Sequence, residues 1–135
     1  MYKTILLSID SSLNAKKVLQ AALDMAQLCS AKVFVLSVVE PAEHSDPAHP
    51  EQTSPEAVAS LLSQSKAVFE QRGFTAETGE REGRPAFIIC DVADEVSAEL
   101  IVMGCRGTGL IEDGCEESVS NRVINLAPCP VLVVP

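Results

Sequence analysis

The fold of this chain is decided by residues 100–118, LIVMGCRGTGLIEDGCEES. The stretch begins with a short apolar run that is typical of a strand buried on both faces. Three glycines follow, as they do at the start of a loop that binds phosphate. Carboxylates then fill the loop, at Glu112, Asp113, Glu116 and Glu117. The stretch therefore predicts a strand that leads into a glycine-rich loop, and it leaves open whether that loop binds phosphate.

On either side of this stretch, predicted strands and helices alternate along the chain. Apolar runs predict strands at residues 3–9, 31–39, 100–103 and 131–134, and a weaker strand at residues 74–79 is polar enough to lie at an edge of the sheet. Apolar stripes at helical spacing predict the helices between them. The last helix is expected from about Ser118 to Leu126, with Val119, Val123 and Leu126 buried. This alternation predicts a single α/β domain over residues 1–135, in which a parallel sheet lies between two layers of helices.

The ends of two strands mark the expected ligand site. In open parallel sheets, ligands bind beyond the carboxyl ends of the strands, where the strand order reverses. The tightest strand exits in this sequence are Asp10, after the first strand, and Gly104, after the fourth. We therefore expect Asp10 and Gly104 to lie close together.

Charge and composition exclude several classes of function. The net charge is −9, and the ten Lys and Arg residues form no cluster. Binding to nucleic acid or to an anionic membrane requires clustered cations, so neither partner is expected. No apolar run reaches the roughly 20 residues of a membrane span, and the N-terminus lacks the features of a signal peptide. We therefore expect a cytoplasmic protein.

The five cysteines are odd in number and contain no CxxC pair. This pattern favours neither a disulfide framework nor a zinc site. Cys105 and Cys115 lie in the glycine loop, where a redox role is a minor alternative because the neighbouring carboxylates do not favour a thiolate.

A proline-rich segment separates the second strand from the second helix. Residues 41–55 read PAEHSDPAHPEQTSP and predict an exposed loop. Both histidines, His44 and His49, lie there, and we interpret them as solvated side chains rather than metal ligands. No Ser-His-Asp or Cys-His arrangement is visible, so no catalytic residue is assigned and the chain is not expected to be an enzyme.

Several motifs, taken in order, resemble the universal stress protein family over nearly the whole chain. The matching pieces are MYKTILLSIDSS (1–12), LSVVE (36–40), EGRPA (82–86), ELIVMGCRGTG (99–109) and SVSNRVINLAPCPVLVVP (118–135). The resemblance implies a Rossmann-like, adenine nucleotide alpha hydrolase-like sheet of five parallel strands in the order 3-2-1-4-5. It also implies a homodimer formed through the last strand. Many members of the family bind ATP or another adenine nucleotide.

The family's glycine motif is only partly present in this chain. The motif is Gly, two residues, Gly, nine residues, and then Gly followed by Ser or Thr. Gly104, Gly107 and Ser118 match it, but Glu117 occupies the place of the third glycine. The phosphate half of the family's site is therefore altered here.

The other contacts that the resemblance implies are retained. Asp10 matches the acidic residue that faces the adenosine, and Val38 matches the strand position whose backbone reads the adenine. Met103 precedes the first glycine, while Val119 and Ser120 match the amides after the motif's Ser. The adenosine half of the site is therefore expected to be intact.

Three interpretations of the acidic loop remain open. The carboxylates can satisfy the positive end of the last helix in place of a ligand anion. A divalent cation such as Mg²⁺ can bridge Glu117 or Asp113 to a nucleotide phosphate. Alternatively, the site prefers a less charged ligand, such as AMP, a cyclic nucleotide or adenosine. Arg106, also assigned to the site, and Arg122 are the only cations nearby.

The sequence thus predicts a regulatory or protective protein that acts by binding, with impaired affinity for ATP and with a regulatory protein as a further partner. The alternative is a sensor for an adenine nucleotide such as AMP, or ATP bound with Mg²⁺. A weak ATPase is the third hypothesis.

Overall fold

The computed structural model describes residues 1–10, 14–39, 54–105 and 119–135. Helices and strands alternate through these residues, as the sequence predicts. The elements are β1 (Thr4–Ser8), α1 (Ala15–Cys29), β2 (Lys32–Val39), α2 (Pro55–Gln71), β3 (Ala76–Glu82), α3 (Pro85–Glu95), β4 (Leu100–Gly104), α4 (Val119–Leu126) and β5 (Val131–Val134).

The strands form one sheet of five, in the order β3-β2-β1-β4-β5, and every neighbouring pair is parallel. The order implied by the family resemblance is confirmed. β1 lies at the centre, paired with β2 on one side and with β4 on the other. Because the chain leaves β1 towards β2 and later crosses back to β4, the strand order reverses between β1 and β4.

Two aliphatic clusters, one on each face of the sheet, form the core. Successive residues of β1 alternate between them, since side chains of a strand point to opposite faces. Ile5 and Leu7 pack with α1 and α2, whereas Leu6 packs with α3 and α4. All three side chains are fully buried. This two-sided burial explains why the strand reads as a continuous apolar run.

The third strand lies further along the chain than predicted. It was expected at residues 74–79 and spans Ala76–Glu82, at one edge of the sheet. Phe74 is part of the turn that ends α2, because its amide donates to the carbonyl of Phe69 at 3.0 Å. Gly73, with φ of 84°, makes that turn, as expected of a residue just past a helix.

One helix start and one buried position also differ from expectation. The residue before α1 is Asn14, and residues 11–13 lie outside the described residues. Most of the predicted 41–55 loop also lies outside them, although its last residue, Pro55, begins α2. In α4, Leu126 was expected in the core but is 50 % exposed. Val123 is buried and Val119 packs against the same cluster, as predicted, and Ser120 is buried beside them.

Candidate functional site

The exits of β1 and β4 lie on neighbouring strands at the carboxyl edge of the sheet. The register pairs Leu7 with Val102, and β1 continues its pairing with β2 until the amide of Ile9 donates to the carbonyl of Leu36 at 3.0 Å. Asp10 follows at once, half-buried, and Gly104 ends β4. Both exits therefore lie where the strand order reverses, which is the place where parallel sheets bind ligands.

Three of the predicted site residues lie on one face of the sheet. Met103 belongs to the cluster under α3 and α4, and Val38 and Val119 pack against the same cluster. Met103 is almost fully buried, while Val38 and Val119 are half-buried. Since these residues come from β4, β2 and the first turn of α4, they provide an apolar surface near the strand ends.

The phosphate half of the site is described only in part. Ser120, in the first turn of α4, is buried at 6 % exposure. The remaining predicted residues of this half, Arg106, Gly107, Glu117 and Ser118, lie outside the described residues. The same holds for the carboxylates that precede Glu117.

Gly104 has a packing role that does not depend on any ligand. A Cβ built on it would lie 3.0 Å from Cγ2 of Val18, on α1. That separation is tighter than ordinary van der Waals contact between carbons. The absence of a side chain at residue 104 therefore lets α1 approach the end of β4. A glycine here is consequently not by itself evidence that phosphate binds.

Asn14 is a residue of this region that the sequence analysis missed. It precedes α1 as the N-cap, but its side chain makes no capping hydrogen bond. Instead, its Nδ2 donates to the carbonyl oxygen of Val134 at 3.3 Å, and the amide of Cys105 donates to the same oxygen, also at 3.3 Å. Asparagine is a common N-cap, and that is the only signal the sequence offers.

The described cysteines, Cys29, Cys90, Cys105 and Cys129, are free thiols, and Cys115 lies outside the described residues. Burial raises the pKa of Cys90, with smaller contributions from the nearby Asp91 and Cys129. Burial also raises the pKa of Cys129. Because the thiolate is the nucleophile, both thiols are weakly reactive near neutral pH.

Candidate metal sites and membrane spans are both absent from the part of the chain that the structure describes. There, no group of three or more His, Cys, Asp or Glu side chains is placed to hold a metal ion. None of the helices in the same part has both the length and the apolarity that crossing a membrane requires.

Comparison with known proteins identifies the family. The model of the universal stress protein family matches residues 1–135. This chain belongs to the universal stress protein family. A universal stress protein of Synechocystis sp. is 53 % identical over 137 residues, which cover 100 % of this chain and 87 % of that protein.

Solved structures of other universal stress proteins share this fold. A protein of the family from Burkholderia pseudomallei is 30 % identical, with a TM-score of 0.76 over 99 % of this chain and 96 % of that one. The universal stress protein from Archaeoglobus fulgidus, solved in complex with dAMP, is 26 % identical. Its TM-score is 0.71, over 99 % of this chain and 98 % of that one.

Proposed function

We propose that this universal stress protein is a regulatory protein that binds an adenine nucleotide carrying few phosphate charges. The site is the crevice beyond β1 and β4, and Glu117 lowers its affinity for ATP. The observation that carries the proposal is the position of Asp10, just after β1, and of Met103, near the end of β4, where the sheet order reverses. The structurally similar protein from Archaeoglobus fulgidus, which is bound to dAMP, supports an adenine ligand with one phosphate.

The adenosine half of the ligand is assigned to the apolar surface at the strand ends. Val38 and Val119 are half-buried against the cluster that contains the buried Met103, and their exposed portions suit the flat, apolar face of an adenine ring. Asp10, half-buried at the exit of β1, is assigned to the ribose, whose hydroxyls donate to a carboxylate.

The phosphate half is where charge matters. Glu117 precedes the last helix, at the end where a phosphate would otherwise meet backbone N–H groups. Two like charges about 4 Å apart repel by roughly 4 kcal/mol at an effective dielectric of about 20, and by about 1 kcal/mol in bulk water. The affinity for phosphate therefore falls by a factor between several-fold and roughly a thousandfold. ATP, which carries more charge than AMP, is penalised most.

The acidic loop also supports a second candidate, in which no nucleotide binds. Glu112, Asp113, Glu116 and Glu117 stand within six residues, immediately before α4. Carboxylates in that position stabilise the positive end of a helix. The protein would then act through its surface alone, as an interaction module for a regulatory partner. A bridging Mg²⁺, which binds carboxylate and phosphate oxygens together, is the variant in which ATP is retained.

We also propose a homodimer formed through β5. This strand is the last in the sheet order, and Leu132 on it is 36 % exposed. An edge strand with an exposed apolar side chain is suited to pairing with a second copy. Catalytic turnover is not part of the proposal.

Calorimetric titration with AMP, adenosine and ATP, with and without Mg²⁺, tests these alternatives. We expect wild type to bind AMP more tightly than ATP in the absence of Mg²⁺. Glu117→Gln removes the charge but keeps the side chain, whereas Glu117→Gly also restores the backbone freedom of the motif. Both variants should gain affinity for ATP more than for AMP. Glu77 is an exposed glutamate of β3, and Glu77→Gln serves as the control. It should change neither the affinity for ATP nor the affinity for AMP.

The outcomes separate the candidates. Binding of ATP by wild type at micromolar strength without metal would contradict the repulsion by Glu117. A gain on Glu117→Gly but not on Glu117→Gln would assign the defect to backbone geometry rather than to charge. Affinity for ATP that appears only with Mg²⁺ would favour the bridged site. If neither AMP nor adenosine binds to wild type, the interaction module without a nucleotide is favoured.

A further inference from the structure

Asn14 uses its side chain in a way that is unusual for a residue at the start of a helix. An N-cap side chain ordinarily accepts a hydrogen bond from a backbone amide in the first turn. Asn14 makes no such bond, and its Nδ2 donates to the carbonyl oxygen of Val134, 120 residues later and 3.3 Å away. The amide group therefore ties the start of α1 to the end of the last strand.

The carbonyl of Val134 also accepts a hydrogen bond from the start of the glycine loop. The amide of Cys105 donates to it at 3.3 Å, and Gly104 is the register partner of Val134. A carbonyl oxygen has two lone pairs and can accept both bonds. Three parts of the molecule thus meet at one atom: the start of α1, the beginning of the loop and the end of β5.

The packing around Gly104 keeps these parts close. The position of a Cβ on Gly104 lies 3.6 Å from Nδ2 of Asn14 and 3.7 Å from the carbonyl oxygen of Val134. A side chain at residue 104 would occupy the space beside this hydrogen bond. The glycine therefore permits the contact between Asn14 and Val134 as well as the approach of α1.

We propose that Asn14 is a positioning residue for the nucleotide site, and that the shared carbonyl of Val134 links this site to β5. The proposal rests on the proposed function, since the affinity for an adenine nucleotide is what the link regulates. Asn14 acts by holding Val134 and Cys105, and hence the start of the loop, in one arrangement. A partner or a substitution that shifts the arrangement of the end of β5 therefore changes the affinity for the nucleotide. By linkage, a bound nucleotide shifts the equilibrium between the arrangements of β5 by the same factor.

The size of the effect follows from the loss of one hydrogen bond. Without the bond from Asn14, the loop start populates the binding-competent arrangement less, and the apparent affinity falls by that fraction. A neutral hydrogen bond corresponds to about a three- to tenfold change in an equilibrium constant.

Asn14→Ser is the variant that tests the link. Serine is as good an N-cap as asparagine, so the start of α1 is retained. Its side chain is one bond shorter and does not reach the carbonyl of Val134. Two measurements are made on it: calorimetric titration with AMP, and amide hydrogen exchange by NMR in the absence of nucleotide. Gln20→Ala, which removes an exposed hydrogen bond to Asp24 within α1, is the matched control.

The amide of Ile101 is an internal reference for the exchange measurement. Ile101 lies on β4, which Cys105 follows, and its amide donates to the carbonyl of Pro130 at 3.0 Å, at the other end of the pairing between β4 and β5. In Asn14→Ser, we expect the exchange of Cys105 to accelerate several-fold relative to Ile101, and AMP to bind about three- to tenfold more weakly. A general loss of stability would accelerate both amides alike and leave their ratio unchanged.

The results distinguish this proposal from the proposed function. If wild type binds AMP and Asn14→Ser binds it within twofold, with an unchanged exchange ratio, the link is wrong and nucleotide binding stands. If wild type binds no nucleotide, the proposed function fails, and the exchange ratio still decides the link. If the exchange rate of Cys105 relative to Ile101 rises in Asn14→Ser, Asn14 stabilises the start of the loop. If this ratio is unchanged, that role of Asn14 is overturned.

Discussion

Val18 lies directly against the end of β4, so that a Cβ on Gly104 would be 3.0 Å from its Cγ2. Val18 is buried on α1, at 4 % exposure, and cannot move into solvent. The first glycine of the family's nucleotide motif is thus also a packing residue of the core. The close packing against Val18 is by itself a sufficient physical reason for a glycine at this position.

Gly104→Ala should therefore destabilise the protein even without a ligand. Overpacking of this kind lowers the free energy of unfolding by about 1–3 kcal/mol. Val18→Ala alone should also destabilise, because it leaves a cavity. In the double variant the new methyl group occupies part of that space. The double variant should therefore lose about 1 kcal/mol less stability than the sum of the two single losses. Urea denaturation of all four proteins measures this coupling, and strict additivity would show that the two side chains do not compete.

The sequence predicts the order and type of the elements because apolar runs and stripes record which faces are buried. A strand such as β1, covered on both sides, leaves an uninterrupted apolar run. The order of the strands in the sheet came from the family resemblance, since periodicity does not encode which strands pair. The contact between Asn14 and Val134 was not predictable, because the two residues are 120 positions apart and neither has a distinctive pattern. Leu126 was misassigned because helical periodicity defines a stripe only approximately at the end of a short helix.

Gly83 and Gly73 form a pair that separates backbone strain from steric conflict. Both have positive φ, 149° and 84° respectively. A Cβ on Gly83 would lie 2.9 Å from the side chain of Ile88, whereas a Cβ on Gly73 would meet nothing within 4 Å. Gly73→Ala should lower the free energy of unfolding by about 1–2 kcal/mol, through strain alone. Gly83→Ala should lower it by about 3 kcal/mol or more, because strain and overlap add.

Chemical denaturation of both glycine variants measures the difference. Adding Ile88→Ala to Gly83→Ala should recover part of the loss, since it removes the atoms that the new methyl group would meet. Equal destabilisation by Gly83→Ala and Gly73→Ala would mean that the neighbouring side chain adapts without penalty.

Phe69 and Phe87 make a second matched pair, on α2 and α3. Phe69 is fully buried in the cluster under α1 and α2, whereas Phe87 is 46 % exposed. Phe69→Ala should lower the free energy of unfolding by about 3–5 kcal/mol, because it leaves a large cavity in an otherwise aliphatic core. Phe87→Ala should change it by much less, about 0.5 kcal/mol. Thermal and urea unfolding both report this contrast, and a similar loss for the two variants would imply that Phe87 is covered in solution.

The proposed dimer through β5 makes a prediction for Leu132. Leu132→Lys places a charge on the edge strand, where lysine is among the residues that prevent pairing with another strand. We expect wild type to sediment as a dimer and the variant to shift towards monomer, while its circular dichroism stays unchanged. Leu28→Lys, at an exposed position on α1, is the control and should leave the dimer intact. A monomeric wild type would exclude this assembly.

Stability should fall as pH rises into the alkaline range, because of two partly buried thiols. Burial raises the pKa of both Cys90 and Cys129 above the ordinary thiol value. In the unfolded chain these thiols lose their protons at lower pH, so between the two pKa values the folded state binds more protons. The free energy of unfolding therefore decreases with pH in that window. The contribution is fully present below the unfolded pKa and is lost as pH rises through the folded one.

Urea denaturation from about pH 7.5 to 10 should show a steeper decline in wild type than in Cys90→Ala/Cys129→Ala. Because both proteins share every other titrating group, parallel declines would mean that the two thiols ionise as freely in the folded protein as in the unfolded chain.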